Sequence, residues 1–183
     1  MAVKTFTTGE VLTAADTNTY LANGGLVYIK SQTVGSAVTS VTVNDAFSAT
    51  YDAYKIVYTG GAASATAVLQ MTLSTTATGY YYVLLYASFG VNTPLADTGS
   101  NTTRFLYVGQ TGASGNGAEI TVINPFLAKT TYVKSEVFAG SGTYAGLMSG
   151  TLSNTTSYTS FVLSPNSGTI TGGTITVYGY RLG

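Results

Sequence analysis

The chain has 183 residues, of which 8% are charged, and its seven basic residues balance seven acidic ones; it contains no cysteine and no histidine. These absences exclude disulfides, thiol nucleophiles, imidazole acid–base catalysis and zinc sites of the usual kind. A neutral chain has no basic footprint, so we expect no binding to nucleic acid and no steering to anionic membranes.

The low charge also indicates that the protein associates with other chains. A net charge near zero favours association, which predicts a homo-oligomeric subunit of an assembly rather than a free protein. No basic stretch followed by an apolar run opens the chain, and no run of about 18 apolar residues occurs, so we expect neither a signal peptide nor membrane insertion. We predict an N-terminal segment over 1–25 and one β domain over 26–183.

The N-terminal segment carries the one clear helix start. Thr13 followed by Asp16 fits a capping box, and Asn23-Gly24-Gly25 fits a helix stop after Ala22. Such a helix is too short to be stable alone. Its apolar residues must therefore pack either on the chain's own domain or on another subunit as an anchor; they are Val11, Leu12, Tyr20 and Leu21.

From Leu26 onward the sequence has period two or short apolar runs, which predicts strands. The predicted strands are Leu26–Thr33, Ser40–Val43, Tyr54–Tyr58, Ala67–Leu73, Tyr80–Tyr86, Arg104–Gly109, Ala118–Ile123, Tyr132–Phe138, Tyr144–Leu152, Ser157–Leu163 and Thr174–Arg181. Glycine-rich turns between them are typical of an antiparallel β-sandwich of the jelly-roll kind. The predicted core includes Ile56, Leu69, Met71, Val122, Phe161 and Val177.

The stretch Asp45–Tyr58 leads into one of these strands. Tyr54, Ile56 and Tyr58 share one face of it. Phe47 and Tyr51 come just before the strand, and we expect them to form a hydrophobic plug under its entry.

The segment Tyr80–Tyr86 does not alternate in polarity. Either both of its faces are covered within the domain, as in a central strand under a loop, or one face is buried between subunits. Its tyrosines offer an apolar face and a hydroxyl together. Tyr80, Tyr81, Tyr82 and Tyr86 are therefore candidates for core edges, for a subunit interface or for receptor or sugar contact.

Two glycine-rich segments, Gly90–Thr103 and Gly112–Gly117, are predicted as loops. Long loops in compact domains are often functional. The pair could form a receptor-facing rim or could be surface loops without a ligand.

No reactive constellation appears. Glycoside cleavage needs paired carboxylates beside a cleft, whereas Asp45 and Asp52 fit turn chemistry better. The acids do not have calcium-loop spacing. We therefore expect no enzymatic activity, no catalytic or metal residues and no cofactor.

Three motifs carry a resemblance to a known family. They are the opening Gly-Glu-Val-Leu-Thr-Ala-Ala-Asp-x-Asn from Gly9, the pattern Phe-x-x-x-Tyr-Asp-x-Tyr-x-Ile-Val from Phe47, and the closing Gly179-Tyr180-Arg181. Together they resemble β-sandwich modules of tailed-bacteriophage virion proteins, and the opening motif is similar to the start of tail proteins. The resemblance spans nearly the whole chain.

The resemblance implies a structural virion protein made in the bacterial cytoplasm, with a trimer favoured. It favours a short tail fibre or receptor-contacting tail protein, which would contact itself, other virion proteins and a host glycan or protein. A capsid decoration (cement) protein is the alternative. An unrelated carbohydrate-binding module is a third reading.

Overall fold

The computed structural model describes residues 7–16, 25–138 and 144–180. The elements are α1 (Ala14–Asp16), β1 (Leu26–Thr33), β2 (Val41–Val43), β3 (Ala53–Gly60), β4 (Ala62–Ala63), β5 (Ala67–Leu73), β6 (Tyr80–Ser88), β7 (Leu95–Thr102), β8 (Phe105–Thr111), β9 (Asn116–Ile123), β10 (Thr131–Phe138), β11 (Tyr144–Leu152), β12 (Phe161–Pro165), β13 (Ile170–Thr171) and β14 (Thr174–Tyr180). The strand pairs are antiparallel, so the predicted all-β antiparallel sandwich is confirmed.

The sandwich has two layers joined at the β8–β9 hairpin. The larger layer has the strand order β7-β6-β11-β10-β9-β3-β14-β1, and the smaller has the order β2-β12-β5-β8. Strands β4 and β13 form a separate two-stranded ribbon. Contacts across the layers include the edge-to-face pair of Tyr80 and Phe105, whose ring centroids lie 4.8 Å apart.

The core lies between the layers and follows from period-two alternation. The six predicted core residues named above are all fully buried, with relative exposures of 0%. Tyr54, Ile56 and Tyr58 also point inward together, as the pattern in β3 predicts. Leu69, Met71 and Leu73 do the same from the opposite layer.

The predicted plug under the entry of β3 is confirmed. The ring of Phe47 contacts that of Tyr54 at 4.8 Å, and the ring of Tyr51 lies 6.0 Å from it. Tyr51 also covers Gly179, where an added Cβ would lie 2.5 Å from the tyrosine ring. Only glycine leaves room for that ring, so the motif from Phe47 and the closing Gly179 motif meet at one corner of the sandwich.

The predicted capping box is present at the start of α1. The Thr13 backbone N–H donates to Oδ2 of Asp16 at 3.1 Å, and the Asp16 N–H donates to Oγ1 of Thr13 at 3.1 Å. The predicted continuation of the helix to Ala22 lies outside the described residues.

The predicted loop Gly90–Thr103 is wrong over most of its length, because Leu95–Thr102 forms edge strand β7 on β6. Its composition of Asp, Gly, Ser and Asn has low strand propensity, so pairing with β6 decides the structure. Two smaller predictions also need correction. Strand β12 begins at Phe161 rather than at Ser157. The predicted loop Gly112–Gly117 is shorter, because Asn116 and Gly117 belong to β9.

The register fixes which loops share an end of the larger layer. Leu26, at the start of β1, pairs with Tyr180 at one end. At the other end Gly60 pairs with Asn116, and Tyr144 pairs with Ser88. The tips of the β6–β7 and β8–β9 hairpins therefore lie at the end opposite to the one where the chain enters β1.

Candidate interaction face

The described residues provide no obvious reactive centre. Among them no group of three or more acidic side chains is placed to hold a metal ion. Asp45 occupies a turn with a φ of 50°, in agreement with its predicted turn role. Among the described helices none is long and apolar enough to cross a membrane.

One ion pair lies on the outer surface of the larger layer. Nζ of Lys55 in β3 lies 2.6 Å from Oε1 of Glu119 in β9. The hydrogen bond to Glu119 raises the pKa of Lys55. Glu136 of β10 sits directly across from Glu119, so charge on this surface is concentrated toward β3, β9 and β10.

The four candidate tyrosines of β6 do not form one cluster. Tyr80 is fully buried and Tyr82 is nearly so, while Tyr86 is half-buried against Tyr144, with ring centroids 5.2 Å apart. Tyr81 alone points outward, with 40% exposure. Tyr80 and Tyr82 are therefore core residues in this fold, and the predicted contact role remains open for Tyr81.

Burial of Tyr80 has a measurable consequence at alkaline pH. Its hydroxyl donates to the Thr76 carbonyl at 3.0 Å and accepts the Leu73 N–H at 2.9 Å. Desolvation raises the pKa of Tyr80 from 10.0 to about 12. Because the folded state then holds this proton more tightly than the unfolded state, stability is fully present below pH 10 and falls as the pH rises toward 12.

We therefore expect alkaline unfolding in that window, followed by circular dichroism and by tyrosinate absorbance in urea titrations at several pH values. Tyr80→Phe should make the fall of the unfolding free energy between pH 10 and 12 shallower, although its absolute stability is lower. Tyr81→Phe, on the exposed side of the same strand, is the control. An unchanged slope in Tyr80→Phe would contradict the assignment.

The outward side of β6 and its neighbours forms an apolar face. We define the apolar face as the exposed large side chains of β6, β11 and β10, which are Tyr81, Val83, Leu85, Leu147, Tyr132 and Phe138. Their exposures range from 40% for Tyr81 to 62% for Leu85 and Phe138. Neither β6 nor β11 contains a charged residue.

The face has a groove and a ridge, and the row of Lys134, Ser149 and Val83 lies between them. Thr151 lies between Tyr132 and Tyr81 in the cross-strand register, so a small side chain is flanked by two large ones. This open groove of about 640 Å³ is also lined by Lys134, Ser149 and Gly150. Leu85 and Leu147 are direct cross-strand partners further along the same strands and form the ridge.

The charged residue of edge strand β7 points to the inner side of the layer, away from this face. This residue, Asp97, accepts a 2.5 Å hydrogen bond from the hydroxyl of Tyr107 in β8. Burial is the main cause that raises the pKa of Tyr107, and the hydrogen bond to Asp97 raises it further. This contact ties the edge of the larger layer to the smaller layer and engages the carboxylate of Asp97 within the protomer.

The predicted anchor residues are described in part. Val11 and Leu12 are exposed, at 79% and 48%, whereas Tyr20 and Leu21 lie outside the described residues. Sequence reasoning missed Val83, Leu85, Leu147, Tyr132 and Phe138. The available signal was that two strands, Tyr80–Ser88 and Tyr144–Leu152, lack charge altogether.

Comparison with known proteins gives no match to any family model and none to any curated protein.

Proposed function

We propose that this chain is a non-enzymatic structural component of a tailed-phage virion that acts as a homo-oligomer. The observation that carries the proposal is the apolar face, whose two central strands β6 and β11 carry no charge, on an otherwise complete sandwich. Large exposed apolar patches mark interaction sites. A chain with 8% charged residues and no net charge also has little to oppose association.

Within the virion we place the chain in the tail, as a short fibre or a receptor-contacting protein. The resemblance of the opening motif to tail proteins supports this placement and favours a trimer. The geometry is compatible with it, because the chain enters β1 at one end of the sandwich and the hairpin tips lie at the other. An attached N-terminal segment would then leave those tips pointing away from the particle.

Phage particles carrying altered hairpin tips test this function. Replacing the exposed residues Ala113 and Ser114, together with 89–94, should reduce adsorption to the host at least tenfold while leaving the thermal stability of the head unchanged. Equivalent changes at Ala77 and Thr78, in the turn before β6 at the entry end, are the matched control. Adsorption and genome release on heating are measured on the same particles.

A cement protein predicts the opposite pattern, because each bound subunit would stabilise the shell. Particles lacking the chain would then adsorb normally and release their genomes at a lower temperature. That result would move the protein from the tail to the capsid surface.

A further inference from the structure

The apolar face is large enough to need a partner. A fully buried aromatic side chain removes about 150–250 Å² from water, so the six side chains of the face at their observed exposures leave roughly 600 Å² of apolar surface. A stable protein interface covers about 800 Å² on each partner. Small neighbours such as Ser149, Thr151 and Ala145 lie between these side chains and supply the remainder.

The shape of the face fits a copy of itself. The groove row of Tyr132, Thr151 and Tyr81 and the ridge row of Leu147 and Leu85 are separated by four residues along each strand, or about 13 Å. A second copy running in the opposite direction would bring its ridge over the groove of the first. The same packing places the first copy's ridge over the second copy's groove, so the contact is a two-fold one that pairs two copies. A trimer, which the resemblance favours, would need a different contact.

The charges on the outward side of the face lie along β10. Lys134 and Glu136 are two residues apart there. In the ridge-over-groove register Lys134 faces the same residue of the other copy and lies one row, about 7 Å, from the other copy's Glu136. The rest of the facing surface on β6 and β11 is uncharged. Packing two such faces together therefore confines the charges of the contact to β10, where each Lys134 has a glutamate of the other copy one row away.

We propose that the apolar face is the self-association surface of this chain, with the Leu85–Leu147 ridge of one copy in the Tyr81–Tyr132 groove of another. The inference rests on the proposed function and deepens it by naming the surface and its occupant. A second copy is favoured over an unrelated protein because the groove and the ridge occur on the same face and the exposed apolar area approaches that of a stable interface.

The purified full-length protein tests this by light scattering at micromolar concentration. The wild type should have a mass of twice 18.8 kDa, and a trimer would contradict the two-fold contact. Leu85→Asp and Leu147→Asp should each raise the dissociation constant of the oligomer at least tenfold, because either change buries an unpaired carboxylate in the contact. The measured mass then falls toward that of the monomer. Tyr28→Asp is the matched control, since Tyr28 is 60% exposed on β1 at the far edge of the same layer.

Two further measurements keep the test decisive. The circular dichroism spectrum of both ridge variants should match that of the wild type, because Leu85 and Leu147 are more than 60% exposed and lie outside the core. Since the natural chain has no cysteine, the exposed Ser149, which the two-fold places opposite the same residue of the other copy, gives a further test. Ser149→Cys should cross-link two copies with a short bis-maleimide, whereas Tyr28→Cys should not.

Oligomers that persist in both ridge variants, without cross-links, would overturn the proposed surface. A monomeric wild type would overturn self-association, and if Leu85→Asp then still abolished incorporation into particles, the face would bind another virion protein and the proposed function would stand. Conversely, ridge-dependent oligomers of a chain absent from purified particles would support this surface and contradict the virion role.

Discussion

Replacing Tyr54 with alanine should unfold the sandwich at markedly lower temperature. Tyr54 is fully buried, and its ring packs against those of Phe47 and Tyr51 at centroid distances of 4.8 and 6.0 Å. Losing a buried aromatic ring of this size costs about 3–5 kcal/mol. For a domain of this length that corresponds to a fall in Tm of roughly 6–20 °C, measured by circular dichroism.

The matched variant Tyr54→Phe separates packing from hydrogen bonding. The Tyr54 hydroxyl donates to the Ser48 carbonyl and accepts the Ser48 N–H, both at 2.8 Å. Its removal should cost about 1–3 kcal/mol, clearly less than the alanine change. Equal losses in the two variants would mean that the hydroxyl, rather than the ring, holds this corner together.

This corner shows what sequence could predict. In the stretch 54–58 of β3 the large apolar side chains of Tyr54, Ile56 and Tyr58 alternate with Lys55 and Val57. This alternation alone predicts which face of the strand is buried. The Phe47 and Tyr51 plug was also predicted. The contact of Tyr51 with Gly179 was not, because the two residues are far apart in sequence and no local pattern relates them.

The apolar face shows why the candidate site was predicted only in part. Every residue from Tyr80 to Tyr86 is apolar or aromatic, so period two gives no contrast between the two sides of β6. Packing of β8 against one side buries Tyr80, Tyr82 and Leu84 and leaves Tyr81, Val83 and Leu85 outside. That choice depends on tertiary structure, as does the pairing that makes a strand of Leu95–Thr102.

Deleting residues 1–23 should leave the sandwich folded while abolishing incorporation into particles. Val11 and Leu12 are 79% and 48% exposed, and the first buried apolar residue among those described is Val34. The deletion therefore removes none of the described core, and we expect Tm to stay within about 2 °C, a change below 1 kcal/mol. Incorporation is measured by immunoblotting of purified particles from a complementation assay.

The double variant Val11→Asp with Leu12→Asp is the control that keeps the chain length. If these apolar side chains dock the subunit on the virion, it should reproduce the loss of incorporation, because burying two carboxylates at the contact is unfavourable. The double variant Thr7→Ser with Thr8→Ser, at residues that are exposed in the same segment, should leave incorporation unchanged. Loss of the circular dichroism transition on deletion would instead mean that the N-terminal segment completes the core of its own sandwich, and the anchoring role would be withdrawn.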